Sequence, residues 1–337
     1  MDLTIDQLIK NGNYYKNISD YDAMIKYYKM AIDLGNVDAM NSLADYYDEN
    51  DEDENDEKMI KYYLMAINKG DTYAMKSLVD YYNSNKNYEE MKKYYLMAIE
   101  KGDSNVMSKL GSYYEHTEKN YDLMKKYYLM AIKKGDSVAM SKLGSYYEHT
   151  EKNYDLMKQY YLMAIKKGNS NAMSKLGSYY KYTENNYDLM KKYYLMAIEK
   201  GNTYAMFQLG HYYQNTEINY DLMKKYYLMA IEKGDSDSMF ILAGYYHITE
   251  KNYEEMKKYY LMAIEKGNSD AMFILGGYYH ITEKNYDLMK KYYLMAIEKG
   301  DSDAMSKLGF YYEHTEKNYD LMKKYYLMAI EKKTIII

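Results

Sequence analysis

A six-residue phrase recurs through almost the whole chain. Tyr-Tyr-Leu-Met-Ala-Ile begins at Tyr62, Tyr94, Tyr127, Tyr160, Tyr193, Tyr226, Tyr259, Tyr292 and Tyr325, with a Lys variant at Tyr27, so successive copies lie 35, 32 and then repeatedly 33 residues apart. A fixed period in this range is the mark of stacked repeats. A chain of 337 residues would otherwise suggest two or more globular domains, but stacked units touch only their neighbours and lengthen freely. The reading is a single repeat domain over 1–337, with a degenerate first copy at 1–35.

One copy, from Gly135 to Gly168, reads as two helices. Asp136 and Ser137 are both suited to cap the first. At 100° per residue, Ala139, Met140, Leu143, Gly144, Tyr146 and Tyr147 share one side, while Ser141, Lys142, Ser145, Glu148 and His149 share the other. The polar stretch Thr150-Glu151-Lys152-Asn153 breaks the pattern, and Asn153 caps a second helix with Asp155 in its first turn. There Tyr154, Met157, Tyr161, Ala164 and Ile165 form one stripe and Leu156, Tyr160 and Met163 another, together about 200° of apolar surface. A helix so apolar must touch several neighbours. Lys166 and Lys167 suit the last turn, and Gly168 suits the left-handed conformation that ends it. Gly144 and Ala164 mark where the two helices approach most closely. The expected fold is all-α, a right-handed α-solenoid of about ten antiparallel helix pairs.

The pattern Ala139-Met140-x-x-Leu143-Gly144-x-Tyr146-Tyr147, followed by Tyr154-x-x-Met157-x-x-Tyr160-Tyr161-x-x-Ala164-Ile165-x-x-Gly168-Asn169, resembles the Sel1-like branch of the tetratricopeptide superfamily. The resemblance spans about residues 20 to 332. Ankyrin repeats share the period, but their Thr-Pro-Leu-His signature is absent and the chain has no Pro. Departures from the Sel1-like pattern are a short inter-helix loop, Ala-Ile where Ala-Ala is usual, and no cysteine pairs. The resemblance implies a non-enzymatic adaptor or scaffold that binds protein or peptide segments along the surface lined by the first helices. A structural or self-assembling spacer is the alternative.

Composition narrows the chemistry. With no Cys, disulfides, thiolate metal sites and cysteine nucleophiles are excluded. The net charge is -5, Lys is interspersed with Asp and Glu, and no Arg occurs, so nucleic acid is not an expected partner. No segment reaches the roughly 18 apolar residues of a membrane span, and the first residues lack the basic start and apolar run of a signal peptide. A soluble cytoplasmic protein is expected. The bias towards Lys, Asn, Tyr and Ile matches an AT-rich coding sequence. No phosphate loop, dinucleotide fingerprint, His-Glu-x-x-His or nucleophile elbow occurs. His116, His149 and His314 share one register position, but equivalent helices 8–10 Å apart do not bring donors to the ~2 Å that zinc requires. No cofactor or metal is expected.

Because the copies are so alike, their departures carry the local information. An acidic run at 48–57 reads as a solvated loop insert, without the Gly and terminal Glu of a calcium loop. Where other first helices carry Ser-Lys, as in Ser108-Lys109 and Ser141-Lys142, three consecutive copies carry Phe207-Gln208, Phe240-Ile241 and Phe273-Ile274. His211, His247 and His280 lie on the same helices. The expectation is a partly apolar partner-binding groove at 205–280 built on Phe207, His211, Phe240, Ile241, His247, Phe273, Ile274 and His280. A leucine at one register of every second helix, from Leu64 to Leu327, falls in the polar sector, and the apolar tail 333–337 has no capping helix. Each is an expected route to a homo-oligomer.

Overall fold

The computed structural model describes residues 3–50, 53–103 and 105–334. Among them are twenty α-helices, numbered α1 (Ile5–Asn17) to α20 (Tyr319–Thr334) in chain order and paired into hairpins, and no strand. The chain divides into two compact units, Met1–Asn169 and Ser170–Ile337. The first holds α1 to α10 and the second α11 to α20.

The hairpin of α9 (Ser137–His149) and α10 (Tyr154–Lys166) shows why these residues fold this way. The Asp136 carboxylate accepts from the amides of Val138 and Ala139 at 2.7 and 3.0 Å, and Asn153 Oδ1 accepts from Leu156 at 3.1 Å, so each helix start is capped by its own preceding side chain. Between them Lys152 holds φ at 56°. At the end of α10, Gly168 at φ 80° donates to Ile165 and Asn169 donates back to Ala164, the Schellman stop that only an αL residue allows.

Packing, not ion pairing, carries the stability. Met157, Tyr161, Ala164, Ala139 and Leu143 are fully buried, and each large apolar side chain removed from water contributes roughly 1.5–3 kcal/mol against the ~0–1 of a surface ion pair. Tyr161 lies across Gly144 so closely that a Cβ there would stand 2.6 Å from its ring. Its hydroxyl, 3.1 Å from Ser145 Oγ, donates to Glu148 at 2.6 Å. Burial and that carboxylate raise the phenol's pKa. The first pair, degenerate in sequence, is built the same way: α1 and α2 (Tyr21–Asp33) meet with Gly12 against the Tyr28 ring.

Within the first unit, successive hairpins are joined by a repeated set of contacts. Tyr121 meets Tyr146 with ring centroids 5.3 Å apart, and Glu151 accepts from Lys125 at 3.1 Å and from Tyr146 at 2.9 Å. A second link runs from one first helix to the cap of the next. Asn41 donates to Asp71 at 3.2 Å, Lys76 meets Asp103 at 2.6 Å and Ser108 donates to Asp136. Ser141, assigned by the helical wheel to the polar side, is buried, as is its equivalent Ser108. A wheel drawn for one hairpin does not include the hairpin that covers it.

The acidic run is also not a loop insert. Asp48 and Glu49 end α3 (Val37–Glu49), and α4 (Asp53–Asn68) begins within the run, so the helix has lengthened towards its acidic end. Carboxylates are favoured at a helix start by the macrodipole. Asp51 and Glu52 lie outside the described residues, as do Ile335, Ile336 and Ile337 of the apolar tail.

Candidate functional site

The second unit contains the Phe-bearing hairpins. Its last three first helices, α15 (Ser236–Tyr245), α17 (Ser269–Tyr278) and α19 (Ser302–Tyr311), each run on into a π-turn, at Tyr246–Glu250, Tyr279–Glu283 and Tyr312–Glu316, closed by a lysine in the left-handed region. Such widened turns re-aim side chains at a helix end. They carry His247 and His280, whose rings stand edge-on to Tyr278 and Tyr311 at 5.8 and 5.9 Å.

Phe207, Phe240 and Phe273 are half-buried rather than free. Each lies against the second tyrosine of its own hairpin's pair, Tyr227, Tyr260 or Tyr293, at 5.9, 5.7 and 5.8 Å. They occupy the register of Asn41, Lys76 and Ser108, so the link from that position to the next helix cap is replaced by an aromatic contact.

A cleft of about 590 Å³ opens beside Phe273. It is lined by Phe273 and Ile274 of α17, Phe310 of α19, His280 and Ile281 of the π-turn, and Tyr293 of α18 (Tyr286–Glu298). Lys307 lies on α19, and no Asp or Glu lines the cleft. The cleft exists because Gly277 stands where Ser112, Ser145 and Ser178 stand elsewhere. Those serines lie 3.0–3.1 Å from the hydroxyls of Tyr128, Tyr161 and Tyr194. At Gly277 a Cβ would meet only the Tyr293 hydroxyl within 4 Å, at an ordinary 3.6 Å. Burial alone pushes the Tyr293 phenol up to about 12. Burial, with Lys307 adding to it, lowers the pKa of His280 and favours the neutral imidazole.

Of the eight expected site residues, the cleft brings together His247, Phe273, Ile274 and His280. Phe207, His211, Phe240 and Ile241 do not line it. Burial and then Lys181 hold the pKa of His211 down, and Phe207 lies 6.4 Å from its ring. Sequence reasoning missed Phe310, Lys307 and Tyr293. Phe310 was detectable, being the fourth of four Phe, but it takes the register of Ser112 rather than that of Phe273. A second cleft, of about 430 Å³ in the first unit, is lined by Asp45, Asp48, Glu49 and Asp80, with no lysine among its lining residues.

No family model matches the chain, and no curated protein does. Among solved structures, a protective antigen present in uropathogenic Escherichia coli strains and displaying an SLR fold matches with a TM-score of 0.54 at 20% identity, over 97% of this chain and 76% of that one. A Sel1 repeat protein from Oxalobacter formigenes matches with a TM-score of 0.53 at 21% identity, over 66% of this chain and 99% of that one. The fold is the Sel1-like repeat solenoid. The apolar cleft is thus a local feature of this chain's eighth to tenth Sel1-like hairpins, arising from Phe and Gly at positions that other hairpins give to Ser. Among the described residues no group of three His, Asp or Glu is placed to hold a metal ion, and no helix is long and apolar enough to cross a membrane.

Proposed function

We propose that this Sel1-like repeat protein is a non-enzymatic adaptor that holds a protein segment against the first helices of its Phe-bearing hairpins. The observation that carries this reading is the cleft itself. Phe310 at 49% and Ile281 at 76% exposure line a cleft of about 590 Å³, and clustered apolar exposure of this kind marks an interaction site. Affinity capture with the full chain and with a Phe240→Ser/Phe273→Ser variant tests it. Proteins held by the wild type should be lost by the variant while its melting midpoint stays close to that of the wild type. Retention of the same proteins at unchanged stability removes the proposal.

The exposed leucines favour a second reading, lateral self-association of a spacer. Leu162 and Leu261 are 41% and 39% exposed, so neighbouring Tyr and Lys stems cover them only in part. Sedimentation of the wild type beside a Leu195→Glu/Leu228→Glu/Leu261→Glu variant decides it: a concentration-dependent species present only in the wild type supports the spacer, and a monomer in both counts against it.

A further inference from the structure

The geometry points to an aromatic side chain flanked by a carboxylate as the group that the cleft at Phe273 takes from a partner segment. This rests on the adaptor reading and specifies its chemistry. Shape supplies the first half. The cleft, of about 590 Å³, is lined by Phe273, Phe310 and Tyr293, with the Phe273 and Tyr293 rings 5.8 Å apart, and Gly277 adds no side chain to fill it. Aromatic walls favour an offset or edge-on ring, and a ring deep in a pocket is the usual energetic centre of an interface.

Charge supplies the second half. Lys307 brings the one formal charge in the lining. At the register where earlier hairpins carry Glu115 and Glu148, this stretch carries His280, so the hairpin before Lys307 lacks the acid that Lys142 has before it. A carboxylate next to the inserted ring would meet Lys307, while the Tyr293 hydroxyl, over which Gly277 places no serine, is open to donate. An incoming lysine would meet a cation and no acid. A plain aliphatic segment would leave both polar groups unused.

The chain contains no Trp, so a tryptophan in a probe reports alone when excited at the red edge of tyrosine absorption. The full chain is titrated with acetyl-Gly-Glu-Trp-Gly-amide and with its Gln and Lys counterparts. A saturable blue shift is expected, with Glu bound most tightly, Gln weaker by about 2- to 5-fold, as for a partly exposed ion pair, and Lys weakest. Lys307→Glu should invert the order, Lys307→Gln should flatten it, and Phe310→Ser should weaken all three probes. Far-UV circular dichroism confirms that these surface variants stay folded. No saturable shift, an order indifferent to Lys307, or a shift that survives Phe273→Ser with Phe310→Ser each overturns the inference. If the probes fail while captured proteins are still lost on Phe240→Ser/Phe273→Ser, the anchor chemistry falls and the adaptor reading stands.

Discussion

Replacing Gly144 by Ala tests how tightly each hairpin is closed. The added Cβ would lie 2.6 and 2.7 Å from the Cδ1 and Cε1 atoms of Tyr161, against an optimum of roughly 3.5–4.0 Å, so the ring must move by about 1 Å. Overpacking of this kind costs about 1–3 kcal/mol, and the better helix propensity of Ala returns up to ~1 kcal/mol. The same register in other hairpins shows what the ring can do. Ala44 and Ala243 stand there naturally, and Tyr63 and Tyr260 remain buried beside them. But Tyr63 bonds to Asp45, one residue after the Ala, and beside Tyr260 the register of Glu148 holds His247. A displaced Tyr161 would therefore lose its 2.6 Å bond to Glu148. Hydrogen bonds to charged groups contribute about 1.5–3 kcal/mol, part of which Ser145 can replace, so the net loss should be about 1–2 kcal/mol. Urea unfolding followed at 222 nm measures it. The same substitution in a Tyr161→Phe background should cost less, because the hydroxyl bond is already gone. Gly168→Ala, at φ 80°, should be destabilising without coupling to Tyr161. A Gly144→Ala cost unchanged by Tyr161→Phe, or a gain in stability, refutes the close-approach argument.

Ile218 is a β-branched residue at φ 52° and 55% exposed, so Ile218→Gly should stabilise by about 0.5–1 kcal/mol, the αL strain relieved less the entropy of glycine; thermal melts of the pair check it. Ser238 is fully buried with its hydroxyl unpaired among the described residues, where Ala139 and Ala271 stand in other hairpins, so Ser238→Ala should gain about 1–2 kcal/mol in urea unfolding. Lys125, Lys224, Lys257 and Lys290 hold the pKa values of Glu151, Glu250, Glu283 and Glu316 below the usual 4.5. Their contribution is present above pH 4.5 and is lost as the pH falls through the lower folded values, so an acid titration of Tm should drop there and flatten when these acids are changed to Gln. Burial raises Tyr260 and Tyr293 to about 12, so their contribution is complete below pH 10 and disappears as the pH rises through 12, which an alkaline melt checks by absorbance of tyrosinate.

The hairpins were legible because each signal is local and repeated. Asn153 as cap, Gly168 as stop and Gly144 as the close approach follow from side-chain chemistry within one copy, and all three are found in place. What was not legible depends on the neighbouring copy. Ser141 looks polar until the next hairpin covers it. Phe207 and Phe273 look equivalent, yet only Phe273 lines the cleft, since its hairpin alone combines Gly277 with Phe310 on the helix that follows. Register alignment compares the same position between copies. A site composed of different positions in successive copies escapes it.

That distinction bears on how a repeat protein of nearly identical units comes to have one distinctive surface. At the position of Asn41, Lys76 and Ser108 the side chain ties its hairpin to the next helix cap. The second unit has other ties between hairpins, among them Lys257 to Glu283 at 2.9 Å and Tyr253 against Tyr278 at 5.5 Å. Each polar tie contributes about 0.5–3 kcal/mol, less than the several buried Met, Leu and Tyr of every hairpin together. One tie can therefore be given up to a phenylalanine without loss of the stack, whereas the Tyr pair, present in every hairpin, cannot change so freely. Variation is confined by energy to first-helix positions outside that packed set, and the cleft at Phe273 arises where three such changes, Phe for Ser, Gly for Ser and Phe for Ser again, fall on two successive hairpins.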